Sequence, residues 1–533
     1  MRIICAVLAL SLTISFSSAV FGADWPTFGH DPQRSGFAFD ESTLTVNNVG
    51  QLELKWKARV KNEPKSLTAL TAPVVAEDVD TTRGMKTMVY VGGSDNHLYA
   101  LDAADGSVIW SRDFEVHVLP KDAGMWLCPN GVNATPVIDR GRNLIYAIAV
   151  DGRLWGLDLG TGKPRFGPAQ FVPAFSKNWS LNLVNGVIYT SISQGCGDAQ
   201  SGIYSMDIRD PMRPAIRSLL VSKRGGAGIW GRGGPTIGAN ERLYAATGDG
   251  EFDAFQGQYG SSVIAASLDQ LRVVDYYKPT NYRDVTKYDL DMGSTSLVWF
   301  SVKDFNLVAS GGKEGVLYML DADHLGAKDH QTALYHHQMA NDERSFEQKG
   351  IWGGLAAWRD EDEQTWLYVP VWGPVSAKAP KFPVSNGSTP HGCIAAFRVV
   401  LESGTKKPTL EPVWVSGDLN VPEPPVIANG VVFAVSTGEN TQQTTGPTVI
   451  YAGESAGQKL LSDVERGQNT HNTVLYALDA RTGKTLYQSG NAMSTWVHFS
   501  GPALANGRIY AVDHDSQIYC FGLKEEKAKP ARP

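Results

Sequence analysis

Cysteine is scarce. Five occur in 533 residues, and no two stand in C-x-x-C or C-x-x-C-H spacing, which leaves no zinc ribbon, dithiol redox pair or covalent haem site. No G-x-S-x-G elbow and no H-E-x-x-H helix is present, so a hydrolase has no anchor. The eleven histidines are scattered, and the adjacent pair His336 and His337 would point to opposite faces of a strand. A basic excess is missing too: 48 lysines and arginines stand against 55 acidic side chains, which argues against a nucleic-acid partner. Beyond the first residues no apolar run is long enough to cross a bilayer, so no membrane span is expected.

The first residues set the expected compartment. Arg2 precedes an uncharged stretch, 3–16, followed by Ser17, Ser18 and Ala19, the pattern of a signal peptide cleaved after Ala19 or Gly22. Residues 1–22 are therefore read as a leader, 23–523 as the folded domain and 524–533 (KEEKAKPARP) as a disordered tail. The mature protein is expected to be periplasmic or secreted. Cys128, Cys196, Cys393 and Cys520 remain in it; an exported chain pairs them in one of three ways or buries them unpaired.

What is present is repetition. The frame A/G-x-D-x-x-x-G-x-x-x-aromatic occurs at 100–110, 156–166 and 477–487, each time after an alternating strand such as Met88-Val89-Tyr90-Val91. Weaker copies at 204–207, 264–267, 318–321, 394–397 and 519–522 bring the count to eight. Each unit reads as a meander of short strands in which glycine makes the turn and the aromatic docks between neighbouring sheets. The last unit lacks an outer strand, and 52–58 can supply it. The expected fold is an all-β, eight-bladed propeller whose two ends share one blade, a closure that leaves no open edge. Insertions break the pattern at 194–201, 250–260, 375–391 and 438–472, and the last two are read as loops over one face.

With these features the chain resembles the pyrroloquinoline-quinone (PQQ) dehydrogenases and their PQQ-like propeller relatives. The openings DWPTFGHD (24–31) and NNVGQLELKW (47–56) are similar to that family's N-terminal segment, and the repeat frame matches its tryptophan-docking motif. The resemblance covers nearly the whole mature chain. Non-catalytic scaffolds of outer-membrane assembly carry the same motifs, so it implies either an exported dehydrogenase or a binding scaffold of the cell envelope.

Four further segments, GIWG (228–231), LYAATGDG (243–250), KYDLD (287–291) and GGKEGVLY (311–318), resemble in order the family's cofactor and metal segments. The resemblance implies Trp230 as the platform under PQQ, Asp249 as a metal ligand where the family has asparagine, Asp289 as the general base and Lys313 as a quinone contact. It assigns the carboxylate ligand of the preceding blade to Asp198, where the family usually has glutamate. A second aspartate, here Asp291, is associated in the family with a lanthanide in place of calcium. The residue types suit those tasks: an aromatic face stacks on a flat quinone, a cation polarises its carbonyl, and a carboxylate takes the hydroxyl proton as hydride leaves. In Asp289-Leu290-Asp291 both carboxylates would share a face if the segment were extended. The implied reaction oxidises a small-molecule or polymeric alcohol, polyol or sugar, with electrons passing to a separate acceptor such as a cytochrome c. No haem is expected. The adjacent cysteine pair that many catalytic members carry is represented here only by Cys128.

Overall fold

The computed structural model describes residues 24–65, 67–118, 128, 131–223, 225–445 and 461–525. The proposed leader and all but the first two residues of the proposed tail lie outside them. Among the described residues no helix is long and apolar enough to cross a membrane.

Among the described residues eight blades follow one another along the chain, antiparallel except where Val384–Ser385 pairs parallel with Pro408–Val415 in the sixth; two small two-stranded pairs lie outside them. The first blade shows the local logic: Val74–Thr81, Gly84–Gly92, His97–Asp102 and Val108–Asp113 pair in sequence order. Val89, Tyr90, Leu98 and Ala100 are fully buried, because both faces of a blade are covered by its neighbours. The eighth sheet runs Leu52–Arg59, Gln517–Leu523, Arg508–Val512, Ala503–Ala505. Leu54 faces Phe521 and Ala58 faces Ile518, so the strand nearest the N-terminus is the outer strand of the C-terminal blade.

The repeat frame works between blades. Trp110 donates its indole N–H to the Leu159 carbonyl at 2.8 Å, Trp56 to Ala103 at 2.8 Å and Trp414 to Ala480 at 2.9 Å. Each indole lies against the frame glycine of the next blade. At Gly106, Gly162 and Gly483 φ is +75°, +65° and +71°, and a Cβ would come within 2.4–2.6 Å of the ring. Glycine is required there both by conformation and by space. The frame aspartate closes its turn locally: Asp479 Oδ1 accepts the backbone N–H groups of Arg481 and Thr482, an Asx turn.

Residues 25–41 form a belt that reaches the inner strand of each blade, or the residues flanking it, in order. Trp25 bridges Val75, Pro26 accepts from Ile138, and Thr27 Oγ1 donates to the Leu181 carbonyl. Pro32, Gln33 and Ser35 then accept from the backbone N–H groups of Ile237, Trp299 and Ala357, Ala38 donates to Ile427, and Glu41 Oε2 accepts from Gly507. Buried Arg34 ties the belt together, donating to the Thr27 hydroxyl and to the carbonyls of Phe28 and Leu181. These bonds satisfy inner-strand backbone groups that a central channel would otherwise leave open.

Cys128 and Cys196 form a disulfide, while Cys393 and Cys520 are buried free thiols. The bridge ties residue 128 to the insertion at 194–201.

Candidate functional site

At the other end of the inner strands from the belt lies a cavity of about 210 Å³. Residues just ahead of those strands line it, among them Lys177, Trp179, Trp230, Asp291, Trp352 and Phe499. Tryptophans make much of its wall. Trp352 and Trp372 stack with ring centres 4.7 Å apart, and Trp230 meets Trp352 edge-on at 5.4 Å.

Trp230 is held by its polar edge, the indole N–H donating to Asp291 Oδ1 at 3.2 Å. This contact needs Gly293, where a Cβ would come within 2.6 Å of the indole nitrogen. Asp249 sits in the turn after Arg242–Ala246, and its carbonyl accepts from Ala227 at 2.6 Å. Asp289 follows the short helix Tyr282–Lys287, past its cap at Tyr288, with φ +52°. That left-handed position ends the helix and turns the side chain toward the cavity. Asp291 caps the next 3-10 turn by accepting from the Gly293 N–H at 2.8 Å. The two aspartates therefore converge through a turn and a cap; they do not lie on the extended segment that their spacing alone suggested.

Carboxylate oxygens of Asp249, Asp289 and Asp291 all lie within 4.8 Å of one another. Lys313 Nζ reaches Asp289 Oδ1 at 2.6 Å and Asp291 Oδ2 at 3.1 Å, and stands 5.0 Å from the Trp230 ring centre. Burial raises the Asp289 carboxyl well above the usual range; Lys313 opposes the shift, and Asp291 and Asp249 add to it. Asp249 is raised by burial and then by repulsion from Asp291. Lys313 is held above its ordinary value, because Asp289 and Asp291 outweigh the opposite effect of its burial.

Two groups fit this geometry. Three mutually repelling carboxylates form an all-oxygen donor set suited to a hard cation, and a trivalent ion offsets more of that repulsion than a divalent one. Trp230, at the cavity wall beside Lys313, offers an aromatic face to a flat ligand. Of the six residues singled out from sequence, Trp230, Asp249, Asp289, Asp291 and Lys313 line this one cavity. Asp198 does not. It lies exposed in a short 3-10 turn of the 194–201 insertion with φ +59°, and the member of that insertion on the cavity wall is Gln194.

The rest of the lining lies outside those segments. The segment 350–353 is a second G-I-W-G, a copy of 228–231 that could have pointed to Trp352. Glu439 accepts from Arg466 at 3.0 Å and bonds His498 Nδ1 at 2.8 Å, all three at the cavity. Burial pushes His498 down to about 4, against the opposing pull of Glu439.

Residues 25–189 match the family model for the β-propeller domain of glucose, ethanol and alcohol dehydrogenases, the PQQ family. The chain is 25% identical over 259 residues to the 1-butanol dehydrogenase (cytochrome c) of Thauera butanivorans, which covers 46% of this chain and 35% of that protein. It is 29% identical over 140 residues to the quinohemoprotein alcohol dehydrogenase of Comamonas testosteroni, covering 26% and 17%. The chain thus spans about a third or less of the length of these relatives. Among solved structures it resembles that Comamonas enzyme with a TM-score of 0.56 at 15% identity, over 96% of this chain and 82% of the other. It resembles a europium-containing methanol dehydrogenase with a TM-score of 0.59 at 14% identity, over 96% and 99%. At such identities the structural likeness establishes the eight-bladed quinoprotein fold.

Proposed function

We propose that this chain, with its PQQ-family propeller match over residues 25–189, is an exported quinoprotein-type dehydrogenase. It oxidises a hydroxyl of an alcohol, polyol or sugar and hands the electrons to a separate carrier of the cytochrome c class. The observation that carries this reading is that Asp249, Asp289, Asp291, Trp230 and Lys313 converge on one cavity. The relatives named for alcohol oxidation support it.

PQQ, when bound, supplies the hydride acceptor, made more electrophilic by a neighbouring hard cation. Asp249 and Asp291 would hold the cation. Asp289 takes the substrate hydroxyl proton, a task suited to a carboxylate whose proton affinity burial has raised. Lys313 stays charged and stabilises negative charge that develops on oxygen in the cavity. Trp230 would offer its ring to the quinone, while its N–H fixes the Asp291 carboxylate.

The test is reconstitution. Purified protein is incubated with PQQ and either calcium or lanthanum, passed through a desalting column, and assayed for bound quinone and for alcohol-dependent reduction of a dye. Near-stoichiometric quinone with dye reduction supports the proposal. A chain that binds no quinone under either metal is a binding or assembly scaffold instead.

A further inference from the structure

A second group of residues on the cavity wall comes from blades 6 to 8, further round the ring than the aspartates. Glu347 precedes the first strands of blade 6, Glu439 and Arg466 belong to the insertion in blade 7, and His498 leads into blade 8. Glu347 is fully enclosed. Glu439 is held by Arg466 at 3.0 Å, and its two carboxylate oxygens accept from His498 Nδ1 at 2.8 and 2.9 Å. A carboxylate placed there keeps the ring hydrogen on Nδ1 and leaves Nε2 as the basic nitrogen. Nε2 has no hydrogen-bond partner among the described residues and is not enclosed; the side chain is 10% exposed and lines the cavity.

The His498 ring stacks on Phe499 with centres 3.6 Å apart, and Phe499 packs against the cluster of Trp179, Trp230, Trp352 and Trp372. The open imidazole edge therefore belongs to the same wall as the aromatic platform. His498 also borders a chamber of about 40 Å³ whose wall includes Thr68, Asn133, Thr135 and Ser500, polar and roomy enough for water. An imidazole between a reaction cavity and a polar chamber can take a proton from the one and give it to the other.

Oxidising one alcohol to a carbonyl compound sets free two electrons and two protons in the cavity. The electrons leave with the carrier, and Asp289 takes one of the protons. We propose that His498 is a second catalytic base, which takes the other proton at Nε2 as the electrons leave. An N–H bond forms at the expense of an O–H bond of the reduced cofactor, whose two electrons pass to the carrier. The proton then moves on to the chamber. Glu439 is a positioning residue: it fixes the tautomer and balances the imidazolium while it lasts. Burial weakens the hold of His498 on a proton, which suits a group that has to pass it on. This rests on the dehydrogenase reading above.

The experiment follows the two half-reactions of the quinone-loaded protein by stopped flow, reduction by 1-propanol and reoxidation by ferricyanide. In His498→Gln reoxidation should slow by about 10²-fold and reduction by much less, and in His498→Gly added imidazole should restore much of the loss. Equal slowing of both half-reactions, or reoxidation at the wild-type rate, overturns the inference and leaves the dehydrogenase reading standing. A readout other than turnover decides even where neither variant holds quinone: acylation of wild-type His498 by diethyl pyrocarbonate, located by mass spectrometry. Bound quinone should slow that acylation several-fold. The same rate with and without quinone places Nε2 away from the cofactor and overturns the inference. If the wild type binds no quinone, the dehydrogenase reading falls and the inference falls with it.

Discussion

Lys313 Nζ lies 2.6 Å from Asp289 Oδ1, so the group read as a proton acceptor is already in contact with the group read as its electrostatic partner. Both groups should therefore matter and depend on each other. Lys313→Met and Asp289→Asn should each lower kcat/KM of the reconstituted enzyme by about 10²–10³. The double variant should lose much less than the product of the two, because either change breaks the same pair. Steady-state kinetics on the three variants checks this.

The interblade docking makes a stability prediction independent of any activity. Gly483→Ala places a Cβ about where the Trp414 ring lies, at a φ of +71°, and should destabilise by roughly 2–4 kcal/mol. Trp414→Ala should cost about 3–5 kcal/mol. Gly404→Ala, where nothing lies within 4 Å of the added Cβ, should stay close to wild type. Denaturant titration separates the three.

That docking shows what was legible in the sequence. The frame from Ala477 to Tyr487 carries its own turn, strand and interblade aromatic within eleven residues, so local pattern reveals it. The belt was visible only as a resemblance, because Pro26, Pro32, Gln33 and Ser35 bind through backbone carbonyls to strands spread over the whole ring. Glu347, Glu439, Arg466 and His498 follow no period; they meet because blades 6 to 8 close the ring around them. Asp198 was grouped with the other acids by order along the chain, yet a left-handed turn keeps it in the exposed loop. Asp249, Asp289 and Asp291 fell within recognisable segments, but the turn and cap that bring them together were not in the spacing.

The thiols offer a direct count. With Cys128 and Cys196 bridged and Cys393 and Cys520 free, the chain without its leader should react with two equivalents of a thiol reagent in denaturant, and with four after reduction. Cys393 and Cys520 are buried and their thiols pushed up by burial, so the native protein should react slowly at both.

Acidity should also leave a mark on stability. Burial, then the neighbouring Asp24 and Asp78, raises the Glu77 carboxyl from 4.5 to about 7. The folded protein therefore holds a proton there that the unfolded chain has released, and between about pH 4.5 and 7 this group makes stability fall as pH rises. Its full contribution is present below 4.5 and gone above 7. Glu77→Gln should flatten the stability profile across that window by about 1–2 kcal/mol, measured by denaturation at a series of pH values.

A hard cation held by Asp249 and Asp291, beside Asp289 and Trp230, is the claim on which the proposed chemistry depends. Terbium luminescence excited through tryptophan tests it directly, because Trp230 contacts Asp291 and energy transfer to terbium is short-ranged. Emission should saturate at one ion per chain, be displaced by lanthanum at far lower concentration than by calcium, and be lost in Asp291→Ala. No sensitised emission, or emission that survives unchanged in Asp291→Ala, would contradict it.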